Sequence, residues 1–188
     1  MKKKFISLEG RILLDSGILD GSFFNQTAVL ICHHDSEGAW GFVLNYQEAS
    51  FTLSELLGEL VPDKFSDMQV KVGGPIGTKT IFCLTEIKLS SEDVVKNIGE
   101  INVTGSLNEI FNQEEGIEEE NLTFYLGYAG WSAGQLEEEL ERSIWIVSSA
   151  SKKEIFESDN HNLWKKKMRK LGGNYSLISY SPHRLSDN

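Results

Sequence analysis

The chain of 188 residues is 40% hydrophobic, which is enough to bury the core of one domain and excludes a wholly disordered protein. Its 28 acidic and 18 basic side chains give a net charge of −10, which opposes broad binding to nucleic acid and to anionic membrane surfaces. Two cysteines are too few for a disulfide framework, and no apolar run approaches the ~20 residues of a membrane helix, so we expect a cytoplasmic protein that does not bind membranes.

The first part of the sequence has the composition of β-strands. Residues 10–14, 27–33 and 38–45 are rich in β-branched, leucine and aromatic side chains. The turn-forming segment Asp35-Ser36-Glu37-Gly38 separates the second run from the third and predicts a hairpin. Because these runs are mostly apolar and do not alternate, we expect the sheet to be buried on both faces.

Four segments match the capping box, in which a hydroxyl accepts from one free N–H at the start of a helix and an acid or amide accepts from another. They begin at Thr52, Ser106, Ser132 and Ser151, each followed three residues later by Glu or Gln. A further helix is predicted from about Asn160, with Gly172 as its C-terminal cap. Its buried stripe is predicted to contain Leu163, Trp164, Met168 and Leu171.

Strands are predicted between and after these helices, at residues 69–72, 80–86, 122–128, 144–148 and 175–180. Strict strand–helix–strand repetition is absent, so the fold class is predicted to be α+β. No repeat and no Pro/Gly/Ser-rich linker divides the chain, and we expect one domain over residues 1–188. The acidic stretch 114–121 is predicted to be a solvated loop.

The segment Cys32-His33-His34-Asp35 combines a thiol with two imidazoles. Such a group could be a nucleophile with its base or part of a metal site. Regular strand geometry would place Cys32 and His34 on one face, with His33 and Asp35 on the other. Zinc needs three or four protein ligands, and no further Cys or His stands at ligand spacing. We therefore predict no catalytic residue, metal or cofactor here, and favour a strand end with hydrogen-bonded imidazoles.

Two glycine-rich segments are candidate ligand contacts. Gly73-Gly74-Pro75 follows a predicted strand and lacks the Gly-Lys-Ser/Thr continuation of a phosphate loop, which favours a tight turn. Residues 126–140 predict a strand, a glycine turn and a capped helix. The acidic residues 137–139 oppose phosphate binding there, so close packing around a buried or half-buried Trp131 is favoured over a ligand role.

Basic residues are concentrated late in the chain. Residues 152–170 contain seven basic and three acidic side chains, a local charge of +4 that leaves −14 on the remainder. A nucleic acid or an acidic partner could contact Lys165, Lys166, Lys167, Arg169 and Lys170. The favoured interpretation is the solvated face of an amphipathic helix, because no helix-turn-helix pattern precedes this segment.

Three blocks of the sequence resemble the bacterial YqgE/AlgH family. They are residues 27–45, residues 72–76 and residues 126–140, and Trp145 and Trp164 stand at family-like positions. The chain departs from the family pattern at His33, where the family has Glu, and after Asn45, where Tyr46-Gln47 replaces Lys/Arg-Pro. The resemblance implies an α+β domain whose branched sheet curls partly into a small barrel with helices packed around it.

The resemblance also implies a regulatory role linked to transcription, without an associated enzyme activity. Our leading hypothesis is thus a non-enzymatic regulatory or interaction protein that binds a protein partner. Specific binding to nucleic acid is the less favoured alternative. The alternative is a small-ligand or enzyme site between the Cys32 hairpin, the Gly73 turn and the loop 127–134. Its candidate residues are Cys32, His34, Asn45, Gly73, Gly74, Pro75, Tyr128, Gly130, Trp131 and Gln135.

Overall fold

A computed structural model describes residues 5–46, 50–90, 92–113, 118, 120–157 and 159–182. Within these ranges the strands are β1 (Arg11–Asp15), β2 (Ala28–Asp35), β3 (Gly38–Val43), β4 (Ser50–Thr52), β5 (Gln69–Val72), β6 (Ile76–Thr85), β7 (Val94–Ile98), β8 (Ile101–Thr104), β9 (Leu122–Ser132) and β10 (Trp145–Ser149). The α-helices there are α1 (Leu53–Leu57), α2 (Leu107–Phe111), α3 (Gln135–Glu141), α4 (Lys152–Phe156), α5 (Leu163–Leu171) and α6 (Gly173–Ile178). Two 3-10 turns lie at Gly58–Leu60 and Asp63–Phe65. None of the helices in the described ranges is long and apolar enough to cross a membrane.

The sheet is branched at β9. Along the path of the sheet the strand order is β10-β1-β2-β3-β9-β6-β8-β7, with β5 parallel to β9 and β4 paired to β5. The first half of β9 pairs with β5 through Val70 and Phe124, and its second half pairs with β3 through Ala39 and Trp131. The predicted α+β class with a branched, partly curled sheet is confirmed. The curl brings β7 close to β2, where Lys96 meets His33.

Glycines make the branch possible because backbones approach each other there. Gly127 has a φ of +69°, which side-chain-bearing residues rarely adopt. Gly73 donates its N–H to the Leu126 carbonyl and accepts from the Val43 N–H, each at 2.8 Å, and so joins β3 to β9. A Cβ atom on Gly74 would lie 2.0 Å from the carbonyl carbon of Tyr128. These positions therefore exclude any side chain.

Buried side chains form three clusters. The first fills the interior of the half-barrel and includes Leu30, Phe42, Tyr125 and Trp164. The second lies on the opposite face of β1–β3 under α3 and includes Val29, Trp131 and Leu136, and the third packs below α1 and α2. Burial on both faces, as the apolar strand sequences predict, is confirmed for β2.

Several predicted elements are confirmed. The hairpin of β2 and β3 turns at residues 35–38. Thr52 and Ser151 form complete capping boxes, and Gly172 ends α5. The strands predicted at 69–72, 80–86 and 144–148 correspond to β5, β6 and β10.

Other predictions are wrong. Ser106 makes no side-chain cap, and the glycine turn predicted within 126–134 is the second half of β9, which continues to Ser132. Gly134, which has a φ of +76°, is the N-cap residue of helix α3 in place of the predicted Ser132. The Ser132 N–H donates to Gln135 Oε1 at 3.0 Å. The strand therefore continues through this glycine-rich segment to Ser132, because β3 and β6 both pair with it.

The strand predicted at 175–180 is wrong as well, because Gly173–Ile178 is helix α6. Gly172 and Gly173, with φ of +74° and +54°, turn the chain sharply after α5, and Ile178 then packs against the barrel-interior cluster. Strands β4, β7 and β8 were not predicted. The predicted loop 114–121 lies largely outside the described residues.

Candidate functional site

An open groove of about 380 Å³ lies at one end of the half-barrel. It is lined by the end of β2, the start of β3, the start of β6 and the second half of β9. Its lining residues are His33, Asp35, Glu37, Gly38, Ala39, Trp40, Ile76, Tyr128, Gly130, Trp131 and Ser132. Parts of the three family-like sequence blocks therefore meet at one cavity.

A β-bulge at Cys32 determines which side chains reach the groove. Ile31 pairs with Gly41, but the next pair is His33 with Trp40, so Cys32 is an extra residue in β2. As a result Cys32 and His33 both face the barrel side, and His34 faces α3. The prediction that Cys32 and His34 share a face is wrong, because it assumed an uninterrupted strand.

Cys32 and His34 are both buried, and neither lines the groove. Burial raises the pKa of the Cys32 thiol well above its usual range, so the thiol is not activated as a nucleophile. His34 accepts the Leu8 N–H at Nδ1 (3.1 Å), and its Nε2 lies 2.8 Å from Glu137 Oε1. The imidazole has a partner at each nitrogen and ties the N-terminal segment to α3.

His33 belongs to a hydrogen-bonded cluster of charged residues at the edge of the groove. Its Nε2 lies 2.9 Å from Asp35 Oδ2, and its Nδ1 lies 3.1 Å from Glu9 Oε1. Lys96 Nζ pairs with the same Glu9 oxygen at 2.7 Å. Both basic side chains of the cluster are thus engaged by carboxylates within the protein.

The carboxylates of this cluster are held in their ionised form. The Glu37 N–H, followed by the His33 imidazole, lowers the pKa of Asp35. For Glu9, partial burial raises the pKa, but the hydrogen bonds from Lys96 and from the His34 N–H outweigh it and leave the pKa below its usual value. The Glu37 carboxylate is exposed and has no partner within the described residues.

The floor of the groove is aromatic. Trp40 packs edge-to-face against Phe42 and Tyr128, with ring centroids 5.8 and 6.3 Å apart. Two glycines flank the Tyr128 ring: a Cβ atom on Gly77 would lie 3.0 Å from its Cε1, and one on Gly130 would lie 3.4 Å from its Cε2. The ring is therefore open to the groove because neither neighbour carries a side chain.

Trp131 and Gln135 are used to attach α3 to the sheet. The Glu139 Oε2 atom accepts indole N–H groups from Trp131 (2.8 Å) and Trp145 (2.6 Å), and Gln135 Nε2 donates to Glu139 Oε1 at 3.0 Å. Trp131 also borders the groove, whereas Gln135 does not.

The remaining candidates support the scaffold. Asn45 is buried and bridges the Ala28 N–H (2.7 Å) and the Gln26 carbonyl (2.9 Å). Gly73 and Gly74 pack against the backbone of β9, and the exposed Pro75 precedes Ile76, which does line the groove. Of the ten predicted residues, Tyr128, Gly130 and Trp131 reach the cavity, and their role as contacts stays a prediction.

Sequence reasoning missed His33, Asp35, Glu37, Trp40 and Ile76 as groove residues. The bulge that turns His33 toward Trp40 has no signal in the local composition. Trp40 stands between the small residues Ala39 and Gly41, and this contrast in size was the available signal.

The basic residues of α5 do not form one exposed patch. Lys167 is 8% exposed and pairs with Glu154 Oε1 (2.9 Å) and the Ser149 carbonyl (2.7 Å). Arg169 lies over the Tyr180 ring at 4.8 Å. Lys166 and Lys170 are exposed, and Lys165 is half-buried. In the described part of the chain no three His, Cys, Asp or Glu side chains are grouped so as to hold a metal ion.

The branched half-barrel is a fold that known proteins share. The AlgH-like family (DUF179) matches residues 12–176, and the chain belongs to this family. A UPF0301 protein of Cytophaga hutchinsonii is 30% identical over 177 residues, covering 93% of this chain and 95% of that protein. One of Chlorobium chlorochromatii is 34% identical over 181 residues, covering 92% and 91%.

Two solved structures have the same fold. The solution structure of the AlgH protein from Pseudomonas aeruginosa has a TM-score of 0.74 and 27% identity, covering 97% of this chain and 98% of that one. A protein from Corynebacterium diphtheriae, at 17% identity, shares the fold with a TM-score of 0.69 over 96% and 95% of the two chains.

Proposed function

We propose that this AlgH-like chain is a non-enzymatic interaction protein that regulates a partner by binding it at the groove. The observation that carries this proposal is the convergence of β2, β3, β6 and β9 on one open groove with an aromatic floor and an available carboxylate. The buried Cys32, with its raised pKa, removes the nucleophile that an enzyme at this hairpin would use.

A protein partner fits the groove better than a small molecule does. Small-ligand sites usually enclose most of the ligand surface. This groove is open along its length, and Ile76 at its rim is 42% exposed. A side chain projecting from a larger surface would fill the groove while the rest of that surface covers the rim. We place the interaction in the cytoplasm, since both cysteines are free and buried, as in proteins of reducing compartments.

Direct binding to DNA is the sharper form of the regulatory hypothesis, and the geometry of α5 does not favour it. Lys167 is buried in an ion pair, and of the five candidates Lys166 and Lys170 are exposed without a bonded partner in the described part of the chain. Retention on DNA that survives moderate salt would support a direct role. Binding that vanishes at ~200 mM salt would reflect these lysines alone.

Site-specific crosslinking tests the proposed function. A photo-crosslinking amino acid replaces Ser132, which is exposed and lines the groove, or Glu59, an exposed residue of the Gly58–Leu60 turn outside the groove. After illumination in cells, position 132 should give a discrete protein adduct that position 59 does not. Equal adducts at both positions, or none at position 132, would contradict the proposal.

A further inference from the structure

The charges around the groove favour a cationic ligand. Apart from the phenol of Tyr128, its ionisable lining residues are His33, Asp35 and Glu37. The basic groups nearby, His33 and Lys96, are already bonded to Asp35 and Glu9, so they do not attract a further anion. Glu37 has no partner within the described residues, and the chain as a whole carries a charge of −10, which steers cations toward it.

The aromatic floor narrows the choice among cations. Trp40 and Tyr128 are half-buried and held by edge-to-face contacts, so their rings form a rigid surface next to the carboxylates. The two rings are inclined to each other by 73°, so a planar guanidinium can stack on the face of one ring while it contacts the other, and it can donate two parallel N–H groups to one carboxylate. An ammonium group is a more strongly hydrated point charge and gains less from either contact.

The glycines beside Tyr128 supply the space. A side chain at position 130 would meet Ile76 Cδ1 at 3.0 Å and Tyr128 Cε2 at 3.4 Å, and one at position 77 would meet Tyr128 Cε1 at 3.0 Å. Gly130 pairs with Trp40 across β3 and β9, so the open volume lies between the two aromatic residues and the strand that carries Asp35.

We propose that the groove binds an arginine side chain presented by a partner protein, with the guanidinium stacked on one of the two rings of Trp40 and Tyr128, in contact with the other, and bonded to Glu37. This inference rests on the proposed function and names the chemistry of the partner. The occupant is a basic, exposed segment of another protein.

Nuclear magnetic resonance titration tests the inference with a defined probe. Nα-acetyl-arginine amide, which carries one positive charge, is titrated into the isotope-labelled full chain. Nα-acetyl-citrulline amide, Nα-acetyl-lysine amide with its free ε-ammonium group, and tetramethylammonium chloride are titrated in parallel. Arginine should produce saturable shifts at the Trp40 indole N–H and at Gly130 with millimolar affinity. Lysine should bind several-fold more weakly, and citrulline should produce no shifts at these positions.

Three variants complete the test. Glu37→Gln should weaken arginine binding by about tenfold. Gly130→Val should abolish it by filling the space beside Tyr128, and Glu59→Gln, an exposed carboxylate outside the groove, should leave it unchanged. Glu37 is exposed, so its variant is expected to fold even if the valine variant does not.

The outcomes separate the inference from the proposed function. If citrulline or tetramethylammonium binds the groove as well as arginine does, the arginine assignment is overturned while a groove-binding function stands. If no probe shifts Trp40 or Gly130, or if Glu37→Gln binds arginine normally, the inference is overturned. In that case the crosslinking from Ser132 still decides the proposed function by itself.

Discussion

At the scale of single residues, the structure is most constrained where glycine permits backbone contact. Gly73 and Gly74 hold β3 and β9 together, and Gly127 allows β9 to change partners. The same residue type serves a different purpose beside Tyr128, where Gly77 and Gly130 leave the groove open. The glycine-rich segments therefore contain two kinds of position, those that allow close backbone contact and those that leave space in the groove.

Gly74→Ala should destabilise the protein by about 3 kcal/mol or more, because the added Cβ meets backbone atoms that cannot rotate away. Gly105→Ala is the matched control, since its Cβ would have no neighbour nearer than the Phe82 ring at 4.0 Å. Urea unfolding followed by circular dichroism measures both. A Gly74 variant as stable as the Gly105 variant would contradict the branch geometry.

The two thiols should be unreactive in the folded protein. Cys32 and Cys83 are fully buried, and burial raises the pKa of both. Titration with a thiol-reactive disulfide reagent at pH 8 should therefore detect two thiols only after unfolding. Rapid reaction of one thiol in the native protein would reopen a chemical role for Cys32.

At the scale of elements, two short helices are attached to the sheet by buried or half-buried polar contacts. Helix α3 is anchored by Glu139, which accepts from two indoles. Helix α5 is anchored by Lys167, which reaches Glu154 and the end of β10, and by the Trp164 indole N–H, which donates to the Asp15 carbonyl at 2.8 Å.

Lys167→Ala should cost about 2 kcal/mol, because it leaves Glu154 and the Ser149 carbonyl without their charged donor. Lys166→Ala, one position earlier and exposed, should stay within about 0.5 kcal/mol of the parent. Thermal unfolding compares the two. Equal changes in stability for the two variants would contradict the buried ion pair and would mean that Lys167 is solvated like Lys166.

The same pair predicts a pH dependence. Partial burial raises the pKa of Glu154, but hydrogen bonds from Lys167 and Ser151 outweigh it and keep the pKa below the ordinary value of a glutamate. The unfolded chain then binds a proton more readily than the folded one, so this stabilisation is present above the ordinary pKa and is lost as pH falls through the folded value. The stability gap between the parent and Lys167→Ala should therefore shrink below pH 4.5. A gap that stays constant into acid would contradict the pairing.

Glu139→Gln should destabilise the protein by about 1 to 2 kcal/mol. A carboxylate can accept from Trp131, Trp145 and Gln135 together, whereas an amide must turn its NH₂ group toward one of these donors. Tryptophan fluorescence should report the altered indole surroundings during unfolding. Glu138→Gln, which is exposed on the same helix, serves as the control and should change neither property.

At the scale of the whole molecule, local sequence signals located most elements but not the way they assemble. The apolar runs of β2 and β3, the caps at Thr52 and Ser151 and the end of α5 at Gly172 depend on neighbouring residues and were predictable. The continuation of β9 through its glycine-rich segment and the helical state of α6 depend on distant partners. Only some of the groove residues were predicted for the same reason: the bulge at Cys32, which depends on strand pairing, makes His33 face the groove.

The fold also shows how the charges that sum to −10 are distributed over the molecule. The local basic segment is divided by the burial of Lys167, and the acidic side chains Asp35 and Glu37 stand beside an aromatic surface. The acidic character that argues against nucleic acid thus argues for a basic protein partner.

The most direct test of the groove as the recognition site is crosslinking from Ser132 in the parent chain and in the Gly130→Val background. Valine fills the space beside Tyr128 and leaves every charge in place. The parent should give a discrete adduct that disappears in the valine variant, and thermal unfolding of the variant is measured alongside to establish that it is folded. An adduct of equal yield in a folded Gly130→Val protein would show that the partner binds elsewhere.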